Sequence, residues 1–159
     1  MVRTGRTRRQ LSNLALRPEV GFVGGQRGGY IFPQFMAAFD AVATVGFLIR
    51  LLADNGRDLE RVVDELPAFH LRRASLFCPY HVKGTVMRVM ADAGAADDVD
   101  EVEMQDGIKV HRDGGWALVL PHATEPRVEL FAEGPDEASA EALLETFTEL
   151  VNATVAEQG

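Results

Sequence analysis

The sequence has almost no cysteine: Cys78 is the single one among 159 residues, so the chain cannot form an internal disulfide. This scarcity fits a reducing compartment. No apolar run approaches the ~20 residues that a membrane-spanning helix needs. The arginine-rich N-terminal stretch also lacks the apolar centre of a signal peptide. We therefore expect a cytoplasmic protein without a membrane partner.

Acidic residues are absent from residues 1–18, which carry five arginines. The rest of the chain holds 11 of the 16 basic residues and all 24 acidic ones, a formal charge of −13. A basic arm can bind a phosphate backbone. The acidic body would repel it, however, and the arm has no aromatic side chain to stack on bases. We expect no nucleic-acid partner and interpret the arm as a solvated or partner-facing basic edge.

The pattern that follows combines short strands with helices. Residues 20–23 and 30–32 have the composition of two short strands around a turn. Apolar residues within 35–55 recur at helical spacing over most of the helix girth, which predicts a well-buried helix. Asp58 can cap a second short helix, and Pro67 ends it.

Beyond Pro67 the pattern changes, which predicts a domain boundary between residues 1–67 and 68–159. The predicted strands are 69–77, 99–104, 107–112, 115–120 and 127–133, and the predicted helices are 79–93 and a last one that Asp136 caps. This order predicts an α+β domain with an antiparallel sheet and helices on one face. Trp116 shares strand parity with Leu118, and we expect it to face the helices in the core.

Two loops have compositions suited to ligands. Residues 24–30 hold four glycines, which let a backbone approach a ligand closely. They are not a dinucleotide fingerprint, since a strand rather than a helix follows. Residues 120–126 form a polar loop between two strands, with prolines near both ends. A plain hairpin turn and a rigid connection remain open interpretations for the first and second loop.

Taken together and in this order, the loops resemble those of the α-D-phosphohexomutases, the phosphomannomutase and phosphoglucomutase superfamily. That family has a sugar-reading loop G-G-E-x-S-G-H in its third domain and a phosphate-binding loop R-P-S-x-T-E-P in its fourth. Gly24 to Tyr30 stands where the first belongs, and Leu120 to Pro126 where the second belongs. The E-L-P at 65–67 and the D-G-I-K-V at 106–110 also match.

The resemblance implies a domain assignment. Residues 1–67 would be the C-terminal portion of a third-domain-like unit, a fragment of an α/β domain, and residues 68–159 the C-terminal, fourth-domain-like unit. The wording of the motifs is nearest to the mutase-like tail that follows a sugar-1-phosphate nucleotidyltransferase in some bacterial fusion proteins.

The resemblance also implies site residues, and several depart from the family pattern. The sugar-binding positions are Gly25, Gln26, Gly28 and Tyr30, of which the last three replace the family's glutamate, serine and histidine. Glutamine keeps one acceptor oxygen but loses the charge. The sugar loop is therefore degenerate, and the sequence does not identify the sugar.

In the second loop, Leu120 replaces the family's arginine and His122 its serine. The predicted phosphate contacts are then His122, Ala123 and Thr124, with Arg127 as a partial substitute for the missing arginine. Losing one charge-assisted hydrogen bond costs about 1.5–3 kcal/mol, or roughly 10- to 100-fold in affinity. The expected partner is a weakly bound phosphorylated hexose.

Catalytic residues are not expected in this chain. The family's phosphoserine and magnesium-binding aspartates belong to earlier domains, and no D-x-D-x-D/N loop or T-A-S-H motif occurs here. We therefore expect no cofactor in this chain, with Mg²⁺ entering only with the missing family domains. The four histidines are too scattered along the sequence to predict a metal site.

The expected function is the phosphosugar-recognition portion of a mutase, an isomerase of carbohydrate metabolism that is catalytically incomplete alone. The missing catalytic domains would come from a longer protein or a partner chain. The alternative is a non-catalytic regulatory or oligomerisation module of a sugar-1-phosphate nucleotidyltransferase system, such as that of mannose-1-phosphate guanylyltransferase. An unrelated stand-alone interaction domain is disfavoured by the order of the matching motifs.

Overall fold

A computed structural model describes residues 4–5, 7–25, 28–94 and 100–158. The chain divides into two compact units, Met1–Pro67 and Ala68–Gly159. We refer to them as the N-terminal and the C-terminal unit.

The N-terminal unit begins with helix α1 (Arg8–Ala15) and a two-stranded antiparallel sheet, β1 (Val23–Gly24) and β2 (Tyr30–Ile31). Its small core consists of Leu14, Ala15, Val23 and Ile31. The strand pair agrees with the sequence prediction. Helix α1 was not predicted, because residues 1–18 were interpreted by their charge alone, as a basic arm. A capping box between Thr7 and Gln10 starts this helix, and that spacing was the available signal.

Helix α2 (Ala41–Asn55) differs from its prediction in two ways. It begins six residues after Phe35, because the Asp40 carboxylate caps it by accepting a hydrogen bond from Ala43 N at 2.8 Å. The predicted burial is also wrong: α2 has no buried residue, and Val42 and Ile49 are 84% and 62% exposed. An apolar pattern around most of a helix is typical of a buried helix, and the exposure of α2 departs from that expectation.

Helix α3 (Leu59–Asp64) follows a left-handed Gly56 and is capped by Asp58, as the sequence predicts. Its apolar side chains Leu59 and Val63 are likewise more than half exposed.

The C-terminal unit is a five-stranded antiparallel sheet with helices on one face, so the predicted α+β class is confirmed. In space the strand order is β3-β7-β6-β5-β4. The strands are β3 (His70–Phe77), β4 (Glu101–Glu103), β5 (Ile108–Arg112), β6 (Gly115–Pro121) and β7 (Arg127–Gly134). Helices α4 (Lys83–Ala93) and α5 (Glu137–Gln158) pack against this sheet.

Alternating side chains of the strands fill the core beneath the two helices. Fully buried members include Val110, Val119 and Leu130 of the sheet and Met90 and Val151 of the helices. The turn between β5 and β6 has positive φ at Asp113 and Gly114, 54° and 71°, which matches the Asp-Gly hairpin signal.

Trp116 corrects the expectation that it lies in the core. In β6 the helix-facing residues are Gly115, Ala117 and Val119, so Trp116 points to the opposite face of the sheet. There the Lys109 ammonium lies 4.3 Å from the centre of its ring.

The reason for this error is the close packing of β7 and α5 around the start of β6. A Cβ added at Gly115 would lie 2.5 Å from the Glu133 carbonyl oxygen and 2.8 Å from the Leu143 side chain, so no side chain fits there on the helix-facing side. The sequence analysis assigned the large residues Trp116 and Leu118 of β6 to the core, whereas the smaller Gly115 and Ala117 face it.

Candidate functional site

The glycine-rich loop joins β1 to β2 as a tight turn. Gly25 N donates to Gly29 O and Gly28 N donates to Gly25 O, each at 3.0 Å. Gly28 and Gly29 have φ of 79° and 85°, which explains why glycine occupies both positions. Tyr30 is 40% exposed, and its ring stacks on Phe22.

The sugar-binding assignment to this loop stays a prediction. Gln26 lies outside the described residues, so the position that departs most from the family chemistry has no structural account. The turn geometry alone is sufficient to explain Gly25, Gly28 and Tyr30 as parts of a hairpin.

The second loop, residues 122–126, joins β6 to β7. His122 N donates to Arg127 O at 3.0 Å and closes its base. Cys78 N donates to Pro126 O at 2.8 Å and fastens the loop to the end of β3. Leu120, which the sequence resemblance places at the family's arginine, is only 3% exposed. The side chain at the entry to this loop is therefore aliphatic and buried.

His122 is held inside its own loop. Its Nδ1 accepts a hydrogen bond from Thr124 N at 3.4 Å, and this acceptor role places the ring proton on Nε2 in the neutral form. The Nε2 atom lies 3.6 Å from Glu125 Oε1. The imidazole thus contacts a backbone N–H on one side and a carboxylate on the other.

Arg127 is held by carboxylates as well. Its Nη1 lies 2.8 Å from Glu129 Oε1 and donates to Ser75 Oγ at 3.0 Å. Its buried Nε lies 2.9 Å from Glu125 Oε2, but the N–H is not directed at that oxygen, so the contact is an ion pair without a hydrogen bond. Arg127 and His122, the two predicted cationic phosphate contacts, therefore share Glu125.

Two residues that the sequence interpretation missed tie this loop to the first residue of α4 and to the turn before it. Lys83 Nζ donates to the carbonyl oxygens of His122 and Glu125, at 2.5 and 2.6 Å. Tyr80 Oη donates to the carbonyl oxygen of Thr124 at 2.8 Å, and the Lys83 ammonium lies 4.7 Å from the Tyr80 ring centre. No local motif marks these residues, because the contacts join positions about forty residues apart in sequence.

These bonds determine which backbone groups face outward. In a trans peptide the N–H points opposite to the preceding C=O, and the described residues contain no cis bond. Because the carbonyls of His122 and Thr124 point to Lys83 and Tyr80, the N–H groups of Ala123 and Glu125 point away from them. Neither N–H donates to another described residue. Together with the Thr124 hydroxyl, these groups form a set of donors suited to an anion.

Ser75 belongs to the same neighbourhood but not to the donor set. Its hydroxyl receives the Arg127 hydrogen bond and lies 3.3 Å from Glu129 Oε1. Among the described residues, no group of three or more His, Cys, Asp or Glu side chains could hold a metal ion. Within the same residues, no helix is long and apolar enough to cross a membrane.

The chain has relatives among curated proteins. A probable phosphoglucosamine mutase of Methanopyrus kandleri is 31% identical over 144 residues, which cover 90% of this chain and 32% of that protein. A phosphopentomutase of Thermococcus kodakarensis is 32% identical over 80% of this chain and 29% of its own length. A phosphoglucomutase/phosphomannomutase of the same organism is 30% identical over 82% of this chain and 28% of its own length. The chain thus spans about a third of the length of the curated relatives it matches.

Solved structures share the fold. A phosphoglucomutase/phosphomannomutase family protein of Burkholderia thailandensis superposes with a TM-score of 0.75 and 21% identity, over 93% of this chain and 31% of that one. A putative phosphomannomutase of Thermus thermophilus superposes with a TM-score of 0.59 and 21% identity, over 89% of this chain and 29% of that one. No protein-family model matches the chain. The sequence relatives and the structural neighbours together indicate the phosphoglucomutase/phosphomannomutase superfamily, with this chain corresponding to about a third of each protein it matches.

Proposed function

We propose that this chain is the phosphosugar-recognition portion of a phosphomannomutase- or phosphoglucomutase-like protein of cytoplasmic carbohydrate metabolism. The observation that carries the proposal is the donor set of the β6–β7 loop: the N–H groups of Ala123 and Glu125 and the hydroxyl of Thr124. Backbone N–H groups that have no acceptor within the protein are a recurrent way to bind an anion. The named relatives are mutases of different sugars, so the phosphate rather than the sugar is the chemistry common to them.

The chain is proposed to be catalytically incomplete alone. Phosphoryl transfer needs a nucleophile and a cation to offset phosphate charge. The sequence has neither the T-A-S-H motif of the family's nucleophile nor a D-x-D-x-D/N magnesium loop. In this proposal Mg²⁺ and the nucleophile belong to domains that a longer protein or a partner chain provides.

Binding by this chain alone should be weak. The guanidinium that would make two charge-assisted bonds to phosphate is replaced by Leu120. Arg127 and His122 both lie beside Glu125, whose negative charge opposes that of a phosphate. The sugar-loop positions Gly25, Gln26, Gly28 and Tyr30 would add contacts to the sugar ring.

The test is a titration of the ¹⁵N-labelled chain with mannose 6-phosphate and, as the matched control, with mannose. We expect the phosphate ester to shift the amide signals of Ala123 and Glu125 with a Kd of about 1 mM, roughly −4 kcal/mol, and the free sugar to leave them unchanged. Leu120→Arg should tighten binding by roughly 10- to 100-fold, whereas Leu120→Met should not. Equal shifts with both sugars, or none with either, would contradict the proposal.

The same preparation tests catalytic incompleteness. With magnesium and a bisphosphorylated sugar activator, we expect no mutase turnover above a heat-killed sample in a coupled assay. Clear turnover would show that the chain carries a nucleophile that we have not identified.

A non-catalytic regulatory or oligomerisation module of a sugar-1-phosphate nucleotidyltransferase system is the second candidate. The buried Leu120 favours it, because a loop that has lost its guanidinium is poorly suited to capture substrate. A folded chain that binds no phosphosugar but associates with a nucleotidyltransferase would support this candidate over the first.

A further inference from the structure

Lys83 stands out among the groups around the β6–β7 loop because its charge is directed at backbone oxygens. Two of its three N–H donors reach the carbonyls of His122 and Glu125, which flank the stretch that holds Ala123 and Thr124. Its ammonium also lies over the ring of Tyr80. The Tyr80 hydroxyl donates a hydrogen bond to a third carbonyl of the loop, that of Thr124. Two of these bonds come from Lys83, the first residue of α4, and the third comes from Tyr80, in the turn before that helix.

We infer that Lys83, assisted by Tyr80, is the positioning residue that turns the β6–β7 loop into an anion-binding shape, and that it does not itself bind the phosphate. This inference rests on the proposed function, since the shape concerns the proposed phosphate site. Lys83 draws the carbonyl of His122 inward and so turns the Ala123 N–H outward. Tyr80 draws the carbonyl of Thr124 inward and turns the Glu125 N–H outward.

The electrostatics favour this division of roles. Carbonyl oxygens carry partial negative charge, and three of them facing an anion would repel it. Lys83 removes two of them from that side and compensates their dipoles with a full positive charge. Without it, the loop would be free to turn the peptide between His122 and Ala123 and present an oxygen where an N–H is needed.

The chain offers a matched control. Lys109 also lies over an aromatic ring, with its ammonium 4.3 Å from the Trp116 ring centre, but it lies on β5, which does not flank this loop. Lys83→Met and Lys109→Met therefore remove the same charge and the same lysine–aromatic contact in two places. Tyr80→Phe keeps the ring and removes only the hydroxyl that reaches Thr124.

The first measurement uses the free protein. We expect ¹⁵N order parameters above ~0.8 for the Ala123 and Glu125 amides in the wild type and a fall below ~0.6 at Ala123 in Lys83→Met. Tyr80→Phe should loosen Glu125 and leave Ala123 nearly unchanged. Lys109→Met should leave both rigid. Loop amides that keep wild-type shifts and order parameters in Lys83→Met would overturn the inference.

The second measurement titrates inorganic phosphate into the same variants. We expect Lys83→Met to weaken binding by roughly 10-fold or more, the loss of at least one charge-assisted contact. A direct phosphate ligand would lose affinity while the free loop stayed unchanged, and that pattern would also overturn the positioning role. If the wild-type amides do not respond to phosphate, the proposed function fails, yet the order parameters still decide whether Lys83 shapes the loop.

Discussion

The imidazole of His122 withholds a donor that its loop would otherwise offer to a ligand. Its Nδ1 accepts the Thr124 N–H at 3.4 Å, so that N–H is not available to an anion.

Glu125 is a residue whose effect can be isolated. Its two oxygens lie 3.6 Å from His122 Nε2 and 2.9 Å from Arg127 Nε, so its negative charge offsets that of the guanidinium and lies beside the imidazole. Glu125→Gln keeps the size of the side chain and removes the charge. Because the carboxylate is half exposed, we expect a gain of about 0.5–1 kcal/mol, roughly two- to fivefold in phosphate affinity.

Glu145→Gln is the control for this change, since Glu145 lies exposed on α5 and alters the net charge equally. An equal gain from both variants would attribute the effect to bulk charge rather than to the loop.

At the scale of elements, the start of α5 has a titratable cap. The Asp136 carboxylate accepts a hydrogen bond from Ser139 N at 2.7 Å, and this bond holds the pKa of Asp136 below its ordinary value of 3.8. A carboxylate with a lowered pKa in the folded state stabilises that state above its ordinary pKa, and the contribution is lost as the pH falls through the folded value.

Asp136→Ala should therefore lower the Tm at pH 6 by more than it does at pH 3, since the wild-type cap is partly protonated at the lower pH. At pH 6 the Tm of Asp136→Asn should lie between those of the wild type and Asp136→Ala, because asparagine keeps an acceptor but not the charge. Thermal unfolding followed by circular dichroism measures all three proteins. A difference in Tm that does not change between the two pH values would show that the charge of Asp136 contributes nothing.

The elements that sequence predicted best are those set by local pattern. The alternation in β7 and the Asp113-Gly114 turn led directly to the antiparallel sheet. The second loop was located as a motif at 120–126, but its first two residues, Leu120 and Pro121, belong to β6. Contacts between distant segments were not predictable in this way. Lys83 and Tyr80 carry no local signal for the loop that they hold, and the orientation of Trp116 depended on how closely β7 and α5 pack.

Helix α2 illustrates a further limit. Its periodicity predicted a helix correctly, but periodicity records only that an apolar surface exists and not whether the chain buries it. Its exposed side chains Val42, Val45 and Ile49 lie on a unit whose core has four buried apolar residues.

At the scale of the whole molecule, the two units differ in the size of their sheets and of their hydrophobic cores. The C-terminal unit has a five-stranded sheet, two packed helices and a continuous core. The N-terminal unit has a two-stranded sheet and two largely exposed apolar helices. We predict that residues 68–159 fold alone and that residues 1–67 do not.

Separate expression of the two segments tests this prediction. The 68–159 segment should unfold cooperatively with a Tm within about 5 °C of the corresponding transition in the full chain, a difference equivalent to roughly 1 kcal/mol. Hydrogen exchange of the 1–67 segment should be much faster than in the full chain. Comparable protection in the two would contradict the proposed boundary.

Cys78 gives the C-terminal unit a property useful to the experimenter. The thiol is fully buried just after β3, and burial raises its pKa while Lys83 acts in the opposite direction. Alkylating reagents attack the thiolate, which a buried thiol with a raised pKa rarely forms. Labelling should therefore proceed only in molecules whose sheet has opened next to Cys78. The rate of alkylation then measures how often the sheet opens next to Cys78. The measurement uses the natural sequence and needs no dye or engineered cysteine.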